Sequence, residues 1–443
     1  MNFLSRSTGF RSWGQPLQTL HDVAHPHSRH ELKQMLSLAQ RNEGGVLAVG
    51  LGRSYGDSCL NSRGTLVAMT NFRHVIRFDR TAGIIRAEAG LSIRELNALI
   101  IPSGFMLAVT PGTQYVTLGG AVANDVHGKN HYAAGTFGCH VRCFELVRAD
   151  GSSIVVCPRQ HKKLFQATIG GLGLTGVITW VELQLQPIES SFMEIEEIGF
   201  SDLREFYSLH QADSMTWPYT VAWLDCAGGT KTLGRGIYSK GRHSSNGEFE
   251  AHGGWEPRIP LELPVLNKMT SRALNAIYYA IHKRKSSGRR MHLTSFFYPL
   301  DRIHGWNRLY GRAGMFQYQL VVPSVNAEHA IAECLRQTAQ SGQVSFLAVL
   351  KTFGKRRSPG LLSFPMEGIT LSLDFPNRGQ ATLALLDRLD DVVREAKGRL
   401  NPAKDGRMSA EMFWAGYPNI DKFKPHVDPA FQSNFWKRVI CSR

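Results

Sequence analysis

Three glycine-rich clusters between Gly50 and Ile178 are the residues most able to do chemistry. The first, Gly50-Leu51-Gly52-Arg53-Ser54-Tyr55-Gly56-Asp57, follows the apolar run Leu47-Ala48-Val49. Glycines there let backbone N–H groups turn toward an anion, and Arg53 and Ser54 add donors, so the loop is suited to nest a phosphate. A plain tight turn has the same composition. The spacing is not the dinucleotide fingerprint of a doubly wound sheet, and no apolar helix follows, which disfavours NAD(P)H held on a helix N-terminus. The second cluster joins Pro111-Gly112-Thr113 to Val116-Thr117-Leu118-Gly119-Gly120 and runs on through Asn124-Asp125-Val126-His127-Gly128-Lys129. The third, Gly170-Gly171-Leu172-Gly173-Leu174-Thr175-Gly176, precedes the apolar pair Val177-Ile178. Three such loops in one domain suit a long ligand lying across the main chain, such as a dinucleotide with a buried pyrophosphate. His127, His131, Cys139, His140 and Cys143 have spacings formally within reach of zinc. Glycines at 128, 135 and 138 deny that segment a helix to align ligands, and no metal is expected.

The elements that must position these loops follow from local pattern. Ser28 stands three residues before Glu31 ahead of Leu32, Met35, Leu36 and Leu38, and Ser92 precedes Glu95 ahead of Leu96 and Leu99, so two capping boxes open two helices that face a core. Strands are expected at Val46–Val49, Leu66–Met69, Ile84–Ala89, Ile154–Val156 and Val177–Leu185, giving an α+β pattern. Beyond Pro187 the chain turns to aromatic-rich strands separated by long basic loops. In Phe316–Val322 the two-residue period puts Gln317 and Gln319 together on one face, opposite Phe316, Tyr318 and Leu320. A helix is expected over 379–397, then a C-terminal segment with Lys404 and Asp405.

A chain of 443 residues exceeds a single core, so two domains are expected. Their boundaries read as 1–187 and 188–395, with 396–443 returning to the first domain and the site. Arg6 and Arg11 interrupt any leader, and no run approaches the ~20 apolar residues of a membrane span, so the protein is expected in the cytoplasm. Seven scattered cysteines read as reduced thiols rather than a disulfide framework. The net charge of +15 is uneven, with 12 Lys/Arg against 4 Glu between Lys231 and His292. Beside the apolar run 276–281 this stretch suits an anionic surface, lipid or nucleic acid, and equally describes a solvated loop.

The motifs Gly-Arg-Ser-Tyr-Gly-Asp at 52–57, Pro-Gly-Thr at 111–113, His-Gly-Lys-Asn-His at 127–131 and Gly-Leu-Thr-Gly at 173–176 together resemble the PCMH-type FAD domain of the vanillyl-alcohol-oxidase superfamily. Within it they look most like the family that oxidises decaprenylphosphoryl-β-D-ribose at the 2′ position. Ala222-Trp223-Leu224-Asp225, Gln317-Tyr318-Gln319, Lys351-Thr352-Phe353-Gly354, Asp374-Phe375-Pro376 and Ala403-Lys404-Asp405 fit in the same order, so the similarity covers nearly the whole chain.

The resemblance implies a two-domain α+β fold with a β-rich substrate cap and an FAD-dependent oxidoreductase acting on CH–OH groups. Its flavin contacts fall on Gly52, Arg53, Ser54, Tyr55, Gly56, Asp57, Gly112, Thr117, Leu118, Gly119, Gly120, Asn124, Asp125, Val126, His127 and Ile178. Its substrate side falls on Tyr55, His127, Lys129, Trp223, Gln319, Lys351, Ser372 and Lys404. Arg53 stands where many superfamily members carry the His that tethers FAD, which implies non-covalent FAD. Ser372 replaces a Cys that covalent inhibitors attack in the family's mycobacterial members, Phe297 replaces a tyrosine lining the pocket, and Asn401 replaces a tyrosine near the flavin. Oxidising a secondary alcohol needs a base for the hydroxyl proton, and Lys404 is the first candidate, as base or as the cation that holds the oxyanion, with Tyr55 and His127 orienting the sugar or relaying the proton. The implied substrate is a polyprenyl-phosphate ribose, oxidised as the first half of epimerisation to an arabinose donor of the cell envelope. A separate NAD(P)H-dependent short-chain reductase would complete that reaction, and the basic stretch would touch the anionic inner membrane rather than nucleic acid. The alternatives are an oxygen-using oxidase of a soluble sugar or alditol, and a basic binding protein without catalysis.

Overall fold

Short strands with apolar residues on both faces need cover on both sides, and the first sheet shows why. In the computed structural model, which describes residues 4–440 apart from 8–9, 40–42, 214–215, 229–231, 246, 251–256, 263 and 284–285, strands His21–Ala24, Thr65–Ala68 and Val46–Val49 run parallel, with Leu4–Ser7 antiparallel on the outside. Helix Arg29–Ala39 crosses over them and lays Leu32 and Leu36 on Val46 and Val67. Leu38, expected in that packed face, is exposed. Ser28 Oγ accepts from Glu31 N–H, but the Glu31 carboxylate turns to His27 N–H, so only half of the expected capping box closes there.

The second sheet is built round Val177–Pro187, which pairs with Ile84–Glu88 on one side, Val141–Val147 on the other and Phe105–Leu107 at its far end. Helices Ile93–Ile100 and Leu118–Ala123 cover its inner face through Ile93, Leu96, Leu118 and Val122. The Ser92–Glu95 capping box is complete, whereas Leu99 is exposed. Cys143 and Cys157 are joined as a disulfide, contrary to the expectation of reduced thiols. The physical reason is register: Val141–Val147 and Ser153–Val156 form a hairpin that sets the two residues opposite one another, with Cα atoms 4.4 Å apart.

The third sheet has eight antiparallel strands, in the order Ser286–His292, Phe192–Phe200, Gly236–His243, Tyr219–Leu224, Ala348–Phe353, Gly368–Pro376, Met315–Val322 and Arg399–Leu400. Helices Leu203–Asp213, Ser324–Gln340 and Gln380–Glu395 pack on one face through Phe206, Ile331, Leu335, Leu385 and Leu389. The first two of these, and helix Lys268–His282, lie where the sequence reads only as strands and loops. The opposite face of the sheet carries Gln317, Gln319 and Lys351 to the glycine loops.

After Leu400 the chain returns to the amino-terminal sheets. Ala403 C=O accepts from Tyr55 N–H at 2.9 Å, and Val46 exchanges backbone hydrogen bonds with Ala430 and Gln432. Arg438 pairs with Asp57 at 2.7 Å, and Arg148 with Asp428 at 3.3 Å. The last ~40 residues thus fasten the cap sheet to the glycine-loop domain.

Candidate active site

The face of the eight-stranded sheet and the three glycine loops enclose a cavity of about 1490 Å³. Of the expected residues, Gly52, Arg53, Ser54, Tyr55, Gly112, Thr117, Gly119, Gly120, Asn124, Asp125, Val126, His127 and Ile178 line it from the amino-terminal domain. Lys129, Trp223, Gln319, Lys351, Ser372 and Lys404 line the remainder. Gly56, Asp57 and Leu118 do not. A Cβ on Gly56 would stand 1.8 Å from Asp405 C=O, so that glycine serves a chain crossing. The Asp57 carboxylate is turned away to Arg438, and Leu118 is fully buried in the core. Asp125 reaches the cavity, but its carboxylate is spent on Gly138 N–H, Ser358 and Ser363 behind it.

The five residues considered for zinc do not converge. Cys143 is in the disulfide, the His140 ring lies 3.0 Å from Ala134 C=O, and His131 packs on Phe353.

At the cap end the polar side chains form one connected patch. Lys351 Nζ lies 3.3 Å from His127 Nδ1, and His127 Nε2 lies 3.1 Å from Gln319 Nε2. Asn401 Nδ2 donates to Gln319 Oε1 at 2.9 Å. Lys404 Nζ sits 4.0 Å from the centroid of the Tyr55 ring, and Lys129 Nζ sits 4.1 Å from that of Phe296 while donating to Phe296 C=O. Burial pulls the Lys404 ammonium down to about 8 against the opposing pull of Asp374. Burial and then the neighbouring Lys404 bring Lys351 to about 8, and burial and then Lys351 bring Lys129 to about 7. His127 is driven well below its usual range by burial, then Lys351, His131 and Lys404, so its imidazole is neutral. Burial, and after it Asp374, raises the Tyr55 phenol well above its usual value, so it too stays neutral.

Asp374, fully buried and acting on Lys404 by its charge, was not among the expected site residues. Burial raises its carboxyl to about 7, and Gln317 donates to it at 2.6 Å. The Asp-Phe-Pro motif marked the position, but only the pairing of Met315–Val322 with Gly368–Pro376 sets Asp374 opposite Gln317.

The glycine-loop end fits a dinucleotide. A Cβ at Gly112 would meet no protein atom within 4 Å, so bare backbone faces open cavity there. Ser12 Oγ and Ser58 Oγ, on residues that line the cavity, are buried without a hydrogen-bond partner. A bound anion or amide would satisfy both. The FAD binding domain family matches residues 21–157. The decaprenylphosphoryl-β-D-ribose oxidase of Mycolicibacterium smegmatis is 34% identical over 96% of this chain and 96% of its own length.

The chain belongs to the decaprenylphosphoryl-β-D-ribose oxidase family. An uncharacterized protein in the mprA 5′ region of Streptomyces coelicolor is 33% identical over 79% of this chain and all of its own length. L-gulonolactone oxidase of Mus musculus is 27% identical over 41% of this chain and 42% of its own length. Like the oxidases of this family, the chain is an FAD-dependent oxidoreductase, and the reading as a binding protein without catalysis falls. When bound, FAD supplies the acceptor for a hydride, and the lysine and histidine patch is chemically able to take up a proton or to face a developing alkoxide with a cation.

Proposed function

We propose that this protein oxidises the 2′-hydroxyl of a polyprenyl-phosphoryl-β-D-ribose to the 2′-keto sugar, the first half of epimerisation to the arabinose donor. The observation that carries the proposal is the cavity's two-ended build. One end is a flavin cradle, the other a cluster of three lysines beside His127 and Gln319, and helix Lys268–His282 contributes Leu274, Asn275, Tyr278 and His282 to the wall. In this reading Gly52, Arg53, Ser54, Tyr55, Gly112, Thr117, Gly119, Gly120, Asn124 and Ile178 hold FAD without a covalent bond. Lys129 faces the phosphate, Lys351 faces the pentose hydroxyls, Trp223 and Ser372 shape the sugar pocket, and Lys404 and Tyr55 meet the reacting oxygen.

Helix Lys268–His282 supports a lipid-linked substrate because its amphipathy is inverted. Ser271 and Asn275 are buried, while Met269, Ile277 and Ile281 are 81%, 57% and 67% exposed. Lys268 and Arg272 of the helix and Lys283 at its end are exposed as well. Such a face is suited to lie in the headgroup region of an anionic bilayer, and no helix among the described residues is long and apolar enough to cross one. Leu274 and Tyr278 of the same helix line the cavity, which gives a prenyl chain a path from lipid to site. A separate NAD(P)H reductase completes the epimerisation, since the chain carries no nicotinamide fingerprint.

Turnover on a synthetic prenyl-phosphoryl ribose is expected to exceed that on free ribose or alditols by orders of magnitude, and a preference for the free sugar sinks the proposal. Acid precipitation is expected to leave the yellow flavin in the supernatant. The isolated protein is expected to yield only keto sugar, and the epimer only once reductase and NADH are added.

A further inference from the structure

The patch around His127 has a direction fixed by the main chain. Ala403 N–H donates to Asn401 Oδ1 at 3.1 Å, and a backbone amide cannot reverse. The Asn401 amide group must therefore point its NH₂ the other way, onto Gln319 Oε1 at 2.9 Å. With its oxygen taken, Gln319 offers Nε2 to His127 Nε2 at 3.1 Å and to Thr370 Oγ1 at 3.3 Å, a hydroxyl that serves either orientation. His127 Nε2 then accepts, so the ring proton is on Nδ1, which lies 3.3 Å from Lys351 Nζ, and the ring has the Gly128 main chain as a further hydrogen-bonding partner. An N–H facing an ammonium sets two donors against each other, whereas an N–H facing a neutral amine is a hydrogen bond. In the opposite arrangement, a charged Lys351 donates to Nδ1, Gln319 must turn over, and a donor–donor clash arises either between Gln319 and Asn401 or between Asn401 and Ala403 N–H.

We propose that Asn401 is a positioning residue that fixes His127 as the Nδ1–H tautomer and thereby favours the neutral amine of Lys351, the base that takes the substrate hydroxyl proton. The base assignment rests on the oxidation proposed above; the tautomer does not. In the step, the O–H bond breaks and its proton goes to the Lys351 lone pair. The hydrogen on the same carbon leaves with its electron pair for the FAD of the family's chemistry, and the carbinol becomes a carbonyl. Lys404 is left as the cation that steadies the oxygen. The surroundings divide the two lysines in this way. Lys404 has the Tyr55 ring and the Asp374 carboxylate on its side. Lys351 is faced by Lys404, Lys129, His127 and His131, with no carboxylate among them. Burial, and after it Lys404, already bring Lys351 to about 8.

The test uses FAD-loaded protein with ¹⁵N-labelled histidine and no substrate. Long-range ¹H–¹⁵N correlation reports which ring nitrogen of His127 bears the proton, the signal being assigned by its loss in His127→Asn. The expected result is Nδ1–H. Asn401→Asp presents only acceptors to Gln319, reverses the relay and is expected to give the Nε2–H tautomer. With a prenyl-phosphoryl ribose, the ascending limb of kcat/KM, expected near pH 8, then moves up by about one unit, an about tenfold loss at pH 7. Asn401→Ala carries no charge and frees Gln319 to turn, so it is expected to mix the tautomers and move the limb in the same direction, which separates the relay from the field of a new carboxylate. An Nε2–H tautomer in the unsubstituted protein, or an unchanged tautomer in both variants, overturns the relay. A switched tautomer with an unmoved pH limb overturns Lys351 as the base. Expected tautomers with no turnover of any prenyl-phosphoryl ribose overturn the proposed substrate and leave the relay standing.

Discussion

Lys404 Nζ lies 4.0 Å from the centroid of the Tyr55 ring, an ammonium resting on a π face contributed by the first glycine loop. The contact joins the C-terminal turn to the cofactor domain twice over, because Ala403 C=O also accepts from Tyr55 N–H. In the proposed oxidation, a cation held there, with Asp374 near it, would steady an oxygen whose charge grows as its proton leaves. Lys404→Ala is expected to keep its flavin, read from the visible absorbance, and to lose turnover by about 10²–10⁴. Normal turnover removes Lys404 from the site.

Arg438 holds two buried acids. It pairs with Asp57 at 2.7 Å and Asp405 at 3.8 Å, and those side chains are only 3% and 7% exposed. Arg438→Ala strands the Asp57 carboxylate, while Asp405 keeps the Arg407 and Met408 N–H groups, and is expected to cost about 3 kcal/mol in chemical denaturation. Because Asp57 ends the loop that carries Arg53 to Tyr55, weaker flavin retention on gel filtration is expected from the same variant.

Ile277 and Ile281 are exposed on helix Lys268–His282. Ile277→Glu with Ile281→Glu is expected to abolish co-sedimentation with vesicles containing phosphatidylglycerol while leaving flavin content and Tm unchanged. Raising the salt is expected to weaken binding of the unsubstituted protein, since part of the attraction is electrostatic.

Asp374 gives stability a pH slope whose sign is fixed. Its folded pKa of about 7 lies above the ordinary 3.8, so between those values the folded state binds the extra proton. The stabilising contribution is full below about pH 4 and is lost as pH rises through 7. Asp374→Asn cannot titrate, so the Tm difference between wild type and variant is expected to swing toward the variant from pH 4.5 to 7.5, by the equivalent of a few kcal/mol. A constant difference refutes the raised pKa.

The amino-acid sequence by itself determined what depends on near neighbours. It held the three glycine loops, the complete cap at Ser92 and Glu95, the alternation that aligns Gln317 with Gln319, and the ordered motifs of an FAD oxidase family. These are legible because glycine sterics, capping and the strand period act within a few residues. Helix Lys268–His282 escaped because its buried Ser271 and Asn275 and exposed Met269, Ile277 and Ile281 invert the usual pattern. Ser324–Gln340 follows Pro323 and lacks a side-chain cap, so no start signal marked it. Only the tertiary structure decided that Cys143 meets Cys157, that Asp57 turns from the cavity to Arg438, and that Asn401, Gln319, His127 and Lys351 join in one chain of hydrogen bonds. Those meetings depend on strand register and on one sheet closing over another. Such long-range burial fixes which donor faces which acceptor, and no local spacing in the chain encodes it.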